Sequence, residues 1–162
     1  MAIESAVAQL SKQEWSTLKS QTIAEEDSND KKDPYAALQN FADREKVTIA
    51  GSTPGSIFKV EVDNTHPLMF GYPKYYYTLK MDAAVYEFIK EGGWNVGTLK
   101  KENQVAGFVG YKLNPKLKDG LLFAVQDLGN GTVTYISDNI MFRNFWENGK
   151  LMMCNAVFMV GQ

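Results

Sequence analysis

The chain has 162 residues, of which 44% are hydrophobic and 12% aromatic. This composition suits one folded domain around one core and argues against a disordered chain. The formal net charge is −2 and Arg44 and Arg143 are the only arginines, so the charge pattern argues against a nucleic-acid partner. The single cysteine, Cys154, excludes a disulfide within the chain.

The first third of the chain predicts a helix followed by a linker. Apolar residues recur at helical spacing over Ile3–Thr22, which is typical of an amphipathic helix. The polar run Glu25–Asp33 holds most of the acidic excess of residues 1–50 and predicts a solvated linker. We therefore expect an N-terminal helix and acidic linker over residues 1–32 and a C-terminal α/β domain over residues 33–162.

The sequence predicts neither a membrane span nor a leader. No apolar run is long enough to cross a bilayer, so no transmembrane segment is expected. The first residues lack the basic and apolar regions of a signal peptide, so no signal peptide is expected in this chain.

Strands dominate the predicted C-terminal domain. Six segments show the alternation or the β-branched and aromatic content of strands: Ile57–Val62, Tyr75–Leu79, Trp94–Leu99, Val105–Tyr111, Leu121–Val125 and Thr132–Ser137. The tight turn expected at Gly129–Gly131 would join the last two strands.

Helices are predicted at the beginning, middle and end of the same domain. One begins at Asp33-Pro34 and ends near Lys46, and a short one is capped by Asp82 and runs to Ile89. Asp138 is expected to cap a C-terminal helical region, which Asn148-Gly149 should break or kink. Helices and strands in this order favour a layered α/β fold with a mixed sheet.

Residues for a self-sufficient catalytic site are scarce. A zinc hydrolase needs at least three ligands, but His66 is the only histidine, and with Asp63 nearby it is better interpreted as a turn residue bonding local backbone. Cys154 lies in an apolar helical stretch, which predicts a buried side chain rather than a nucleophile. No metal ligand set, catalytic residue or cofactor is therefore assigned to this chain.

Two groups of residues are candidates for ligand binding. Asp138, Asn139 and Arg143 follow the last strand, where open α/β sheets form ligand crevices, although a helix cap and an ion pair are the favoured explanation. The tyrosine run 75–77 could form a sugar or peptide platform with Tyr72 and Trp94, or one of its faces could pack in the core. His66 and Tyr72 complete the candidate ligand-binding set.

Several segments in order resemble the C-terminal region of large bacterial zinc carboxypeptidases of the carboxypeptidase A-like family. The resemblance covers roughly Phe41–Gln162 and depends on many individually weak matches. They are 54–60 (PGSIFKV), 63–68 (DNTHPL), 70–72 (FGY), 94–97 (WNVG), 105–110 (VAGFVG), 137–139 (SDN), 142–151 (FRNFWENGKL) and 155–158 (NAVF).

The resemblance implies a fold, a role and a location. In that family the zinc domain is followed by a class I glutamine-amidotransferase-like domain, so it implies a partial three-layer flavodoxin-like α/β domain with a mostly parallel or mixed sheet. The family's zinc ligands and catalytic glutamate match nothing here, and the amidotransferase histidine has no counterpart near Ser137–Phe142. The chain would then be a non-catalytic accessory domain that packs on the peptidase domain of the parent chain, which alone would hold zinc, in a periplasmic or extracellular protein.

Other functions stay open at this point. Exposed aromatic residues would suit a peptide- or carbohydrate-binding module. A degenerate amidotransferase-type hydrolase built from Asp63, His66 and Asp138 is less favoured, because so few residues are available for catalysis. An unpaired sheet edge could also support a homodimer.

Overall fold

The fold is built on one seven-stranded sheet. The computed structural model describes residues 2–3, 5–21, 38 and 40–161. The strands are β1 (Ala2–Ile3), β2 (Gly55–Val62), β3 (Tyr75–Lys80), β4 (Gly93–Leu99), β5 (Gln104–Phe108), β6 (Gly120–Leu128) and β7 (Gly131–Ile136). The six strands predicted after residue 50 are thus confirmed, with shifts of a few residues at their ends.

The strand order is β1-β7-β6-β4-β2-β3, and β5 pairs with the first half of β2. Every pairing is antiparallel except the short one between β1 and β7. Two register shifts in the β4–β6 ladder and one between β2 and β5 bend the sheet. The result is a curled, mostly antiparallel sheet that resembles half of a barrel.

The expected three-layer flavodoxin-like fold with a mostly parallel or mixed sheet is therefore wrong. Parallel neighbours need crossover connections of a dozen or more residues, usually with a helix. Here β6 and β7 are joined by a tight turn at Gly129-Asn130, and β4 is followed by β5 after four residues. Such connections leave no length for crossover helices, and they favour antiparallel neighbours.

Within the described ranges, three α-helices accompany the sheet: α1 (Ser5–Leu10), α2 (Arg44–Ala50) and α3 (Glu147–Phe158). Short 3₁₀ turns lie at Phe41–Asp43, Pro67–Met69, Asn114–Lys116 and Phe142–Asn144. No helix in the described part of the chain is long and apolar enough to cross a membrane.

The predicted N-terminal helix is much shorter than expected. Val7 and Leu18 are both buried, but only 5–10 is helical, and the following residues are held individually by the sheet. Gln126 of β6 donates to the Trp15 carbonyl at 2.9 Å and accepts from the Thr17 amide at 3.1 Å. Side-chain bonds of this kind satisfy the backbone without a helix.

Two other helix predictions also need correction. Residues 82–89 are not helical; Tyr86 forms isolated bridges with Ser20 and Leu121 instead. The start predicted at Asp33-Pro34 lies outside the described residues, and the helical segment that follows ends at Ala50 rather than near Lys46.

Gly149 lies inside α3 and does not break it. A Cβ atom at this position would stand 1.8 Å from the Ile140 carbonyl oxygen, so only glycine lets the helix approach that strand-end segment. The predicted break was wrong because the glycine serves a close contact rather than a turn.

The sheet separates two apolar clusters. The larger one joins the sheet to α3 and the Pro67–Met69 turn, and it includes Phe58, Leu68, Tyr76, Phe123 and Met152. The smaller one packs Val7 and Leu18 against Tyr86, Leu121 and Tyr135. Strand β6 is buried over Gly120–Gln126 because it contributes to both clusters.

Candidate functional site

Asp138 is held in a buried ion pair with Lys80. The Lys80 ammonium donates to the Asp138 carboxylate at 2.9 Å, and the two side chains are 0% and 2% exposed. The Thr78 hydroxyl donates to the other carboxylate oxygen of Asp138 at 2.6 Å. The expectation that Asp138 caps the C-terminal helical region is therefore wrong. Asp138 instead ties the segment after β7 to β3.

Lys80 uses its full hydrogen-bonding capacity within the protein. Besides Asp138, its ammonium donates to Asp82 at 3.1 Å and to the Ala84 carbonyl at 2.6 Å. Burial alone would lower the pKa of Lys80, but the two carboxylates outweigh it and raise that pKa above its usual value. Lys80 stays charged at neutral pH and is unsuited to act as a base or an amine nucleophile.

Asn139 and Arg143 do not complete a ligand crevice around Asp138. The Asn139 side chain accepts a hydrogen bond from the Met141 amide at 3.1 Å, which is a local turn contact. Arg143 is exposed, has a left-handed backbone (φ 49°) and places its guanidinium 5.2 Å from the centre of the Phe142 ring. Among the described residues it forms no ion pair, so the expected pairing with a carboxylate is not found.

Tyr72 is a structural contact to α3. Its hydroxyl donates to the Asn148 carbonyl at 2.5 Å and accepts from the Met152 amide at 2.9 Å. These two backbone groups are four residues apart and would pair with each other in a regular α-helix. Burial raises the pKa of Tyr72, in keeping with a hydroxyl enclosed by the helix.

His66 is a helix cap, as the turn interpretation of the sequence expected. Its Nδ1 accepts a hydrogen bond from the Leu68 amide at 3.1 Å at the start of the Pro67–Met69 turn. Burial lowers the pKa of His66 more than the nearby Asp63 raises it, so the ring is neutral at pH 7. Nε2 then carries the ring hydrogen.

His66 also lines a concave surface of polar and aromatic residues, which we call the Trp94 cleft. Its volume is about 420 Å³, within the range of small-ligand sites. Trp94, at the start of β4, is 59% exposed, and its ring centre lies 6.4 Å from that of His66. The lining residues are Asp63, Thr65, His66, Pro67, Trp94, Val125, Asp127, Thr132, Val160 and Gly161.

Backbone hydrogen bonds fix the main chain of both aspartates of the Trp94 cleft. The Asp63 amide donates to the Val96 carbonyl and the Asp127 amide to the Gly92 carbonyl, each at 2.9 Å. Thr65 donates to one carboxylate oxygen of Asp63 through its hydroxyl at 2.6 Å and its amide at 3.0 Å, and these bonds lower the pKa of Asp63. Both aspartates are thus held in place at the cleft.

The expected tyrosine platform is only partly formed. Tyr75 and Tyr77 share the exposed face of β3 and Tyr76 is buried, as strand alternation predicts. However, the rings of Tyr75 and Tyr77 stand at 63° to each other, so they do not offer one flat surface for a sugar ring. Tyr72 is committed to α3 and does not join them.

No catalytic arrangement forms among the described residues. Cys154 is exposed on α3, so the prediction of a buried cysteine was wrong. None of the hydrogen bonds found joins it to His66, and Asp138 is committed to Lys80 and Thr78. The described residues contain no group of three histidine, cysteine, aspartate or glutamate side chains able to hold a metal ion.

A second concave surface, the α2–β5 groove, is mainly apolar. It has a volume of about 620 Å³. The Gly110 amide bonds to the Ser52 carbonyl and the Lys112 amide to the Ala50 carbonyl, each at 2.9 Å, which fixes the end of α2 beside the end of β5. The lining residues are Asp43, Lys46, Val47, Ile49, Ala50, Phe108, Val109, Gly110 and Tyr111.

Sequence reasoning missed two charged residues, Lys80 and Asp127. Lys80 stands four residues after Tyr76 and therefore on the same buried face of β3. Strand alternation alone could have predicted that Lys80 is buried. Asp127 interrupts the apolar run of β6, and its place in the cleft follows from its pairing with Thr132, which the sequence reveals only once the hairpin register is known.

Comparisons with protein-family models, with curated proteins and with solved structures find no match for this chain.

Proposed function

We propose that this chain is a non-catalytic accessory domain that packs on the peptidase domain of a secreted zinc carboxypeptidase. The role comes from the ordered sequence segments over residues 41–162, and it does not depend on the flavodoxin-like fold that those segments also implied. A periplasmic or extracellular location belongs to the same proposal, as does zinc in the peptidase domain alone.

The observation that carries the proposal is the α2–β5 groove. Apolar residues form most of its lining, and Phe108 and Tyr111 are 47% and 73% exposed. Ile49, another apolar lining residue, is 53% exposed. Contiguous apolar patches on soluble domains mark interaction sites, because exposure of that much apolar surface to water is unfavourable. A surface of this kind suits a domain that is covered by another domain.

The contacts of the candidate ligand-binding residues also suit a role in assembly better than a role in catalysis. The candidate residues Asp138 and Tyr72 form internal contacts, and His66 caps a turn. A groove fixed by backbone hydrogen bonds offers a preformed docking site, which limits the ordering cost of association.

The first test is whether the reading frame continues upstream into a zinc peptidase domain, as the proposal requires. In the parent protein, hydrogen exchange should then be slower over residues 43–50 and 108–111 than in this chain alone. Phe108→Glu should abolish that extra protection, because it places a charge in the apolar contact.

Phe70→Glu is the matched control, since Phe70 is 63% exposed and lies outside the groove. It should leave the protection over residues 43–50 unchanged. Equal exchange over the groove in the parent protein and in this chain, or a reading frame without a peptidase domain, would refute the docking role.

A further inference from the structure

The Trp94 cleft has a charge and an aromatic surface that the docking proposal does not use. It shares no lining residue with the α2–β5 groove, so its role can be tested separately. Three properties of the cleft define its ligand: the charge of its lining, its aromatic surface and its size.

The lining is negatively charged. Asp63 and Asp127 are its titratable carboxylates, and no lysine or arginine is among its lining residues. Neither aspartate takes part in any ion pair of the described residues. A cationic group entering the cleft would meet two carboxylates that pair with no lysine or arginine of the described residues.

The aromatic surface suits a planar cation. The exposed indole of Trp94 offers the aromatic face that attracts cations most strongly. The His66 ring, tilted by 52° to the indole, adds a second aromatic side, and its Nδ1 is already occupied by the Leu68 amide. A guanidinium can stack on an aromatic face and bind carboxylates in its plane at the same time.

We propose that the Trp94 cleft binds a basic side chain of a peptide, arginine in preference to lysine. The cleft volume of about 420 Å³ suits one side chain with its adjoining peptide groups. A neutral saccharide could also stack on Trp94, but it would leave both carboxylates without a counter-charge. The charge of the lining therefore favours the cation over the sugar.

The test is calorimetric titration of the chain at low ionic strength with N-acetyl-arginine methylamide. The neutral analogue is N-acetyl-citrulline methylamide, which has nearly the same shape without the charge. We expect the arginine compound to bind and the corresponding lysine compound, N-acetyl-lysine methylamide, to bind more weakly. The citrulline compound should not bind. Trp94→Leu should weaken arginine binding about tenfold, and Asp127→Asn about threefold.

Asp119→Asn is the matched control, because it removes one exposed carboxylate outside the cleft. It should leave the affinity unchanged, and Trp94→Leu should keep the melting temperature because the indole is mostly exposed. An equal effect of Asp119→Asn would show non-specific attraction and overturn the proposal. Absence of arginine binding, or Trp94-dependent binding of methyl glucoside in its place, would overturn it as well.

Discussion

The ion pair between Lys80 and Asp138 joins the end of β3 and the turn that follows it to a segment 58 residues further along the chain. It connects β3, the turn at Asp82–Ala84 and the segment after β7. Breaking one side of a buried pair costs more than the pair contributes, because the remaining charge stays in a medium of low polarity. The loss of either partner should therefore destabilise the whole fold.

The first prediction concerns Asp138→Asn. This change keeps the shape of the side chain and an acceptor for Thr78, but it leaves the Lys80 ammonium buried with only the more exposed Asp82 carboxylate. The free energy of unfolding, measured by urea denaturation, should fall by about 3–5 kcal/mol.

Two further variants test whether the loss comes from the buried ion pair. Asp43→Asn removes the exposed ion pair with Lys46 and should change the free energy of unfolding by less than about 1 kcal/mol. Lys80→Met combined with Asp138→Asn should be less destabilising than the sum of the single changes, because no buried charge remains. Additive losses would mean that the two side chains are not coupled.

The second prediction concerns pH and His66. Burial lowers the pKa of His66 in the folded chain below about 6.5, so the unfolded chain binds more protons in the interval between the two values. His66 therefore contributes stability that is fully present above about pH 6.5. That stability is lost as the pH falls through the folded pKa, because a protonated Nδ1 cannot accept from Leu68.

His66→Asn supplies the comparison, since asparagine accepts a hydrogen bond at a helix N-terminus but does not titrate. His66 is the only histidine, so the variant should remove most of the pH dependence of stability just below about pH 6.5. Urea denaturation over that range measures it. Parallel slopes for the two proteins would contradict the assignment.

At the scale of elements, α3 depends on contacts from outside the helix. Trp146 at its N-cap provides no side-chain hydrogen bond, and the helix begins beside Gly149, which touches Ile140. Asn155 donates from the middle of α3 to the carbonyls of Leu68 and Phe70. The segment 66–72 thus positions α3 through its backbone, and Tyr72 bonds the helix at its first turns.

The third prediction follows from the position of Tyr72. Tyr72→Phe removes the hydroxyl between the Asn148 carbonyl and the Met152 amide, and these groups must then pair directly or stay unsatisfied. We expect a loss of about 1–2 kcal/mol in the free energy of unfolding and faster exchange of the Met152 amide. Tyr77→Phe is the control, since the Tyr77 hydroxyl forms no hydrogen bond with a described residue. An equal fall in the free energy of unfolding of Tyr77→Phe would exclude a specific role for Tyr72.

Over the whole molecule, local patterns predicted the strands better than their arrangement. Alternation placed Tyr76 inside and Tyr75 and Tyr77 outside because each strand has a fixed two-residue period. Strand order depends on contacts between distant residues, such as the pairing of β2 with β4 and β5, which no local pattern specifies. The mostly parallel or mixed sheet implied by the family resemblance was wrong, although the strands themselves were predicted.

The candidate site was predictable to a similar extent. His66 was identified as a turn residue from its neighbours alone, and the structure confirms it as a cap. The partner of Asp138 could not be identified, because Lys80 lies 58 residues away and only tertiary packing brings them together. The Trp94 cleft combines β6 with four other segments, and the β6–β7 register explains only that Asp127 lies opposite Thr132.

One side-chain hydrogen bond limits how another strand can pair with the β3 edge of the sheet. The amide of Lys59, which is paired across from Tyr77, points to Asn103, so the Tyr77 carbonyl faces away from β2 along the outer side of β3. Asn148 donates to that carbonyl at 3.0 Å and occupies the position that an incoming strand would need. The Lys80 ammonium at the end of β3 also points inward, to Asp138. For both reasons β3 is a poor template for edge-to-edge aggregation.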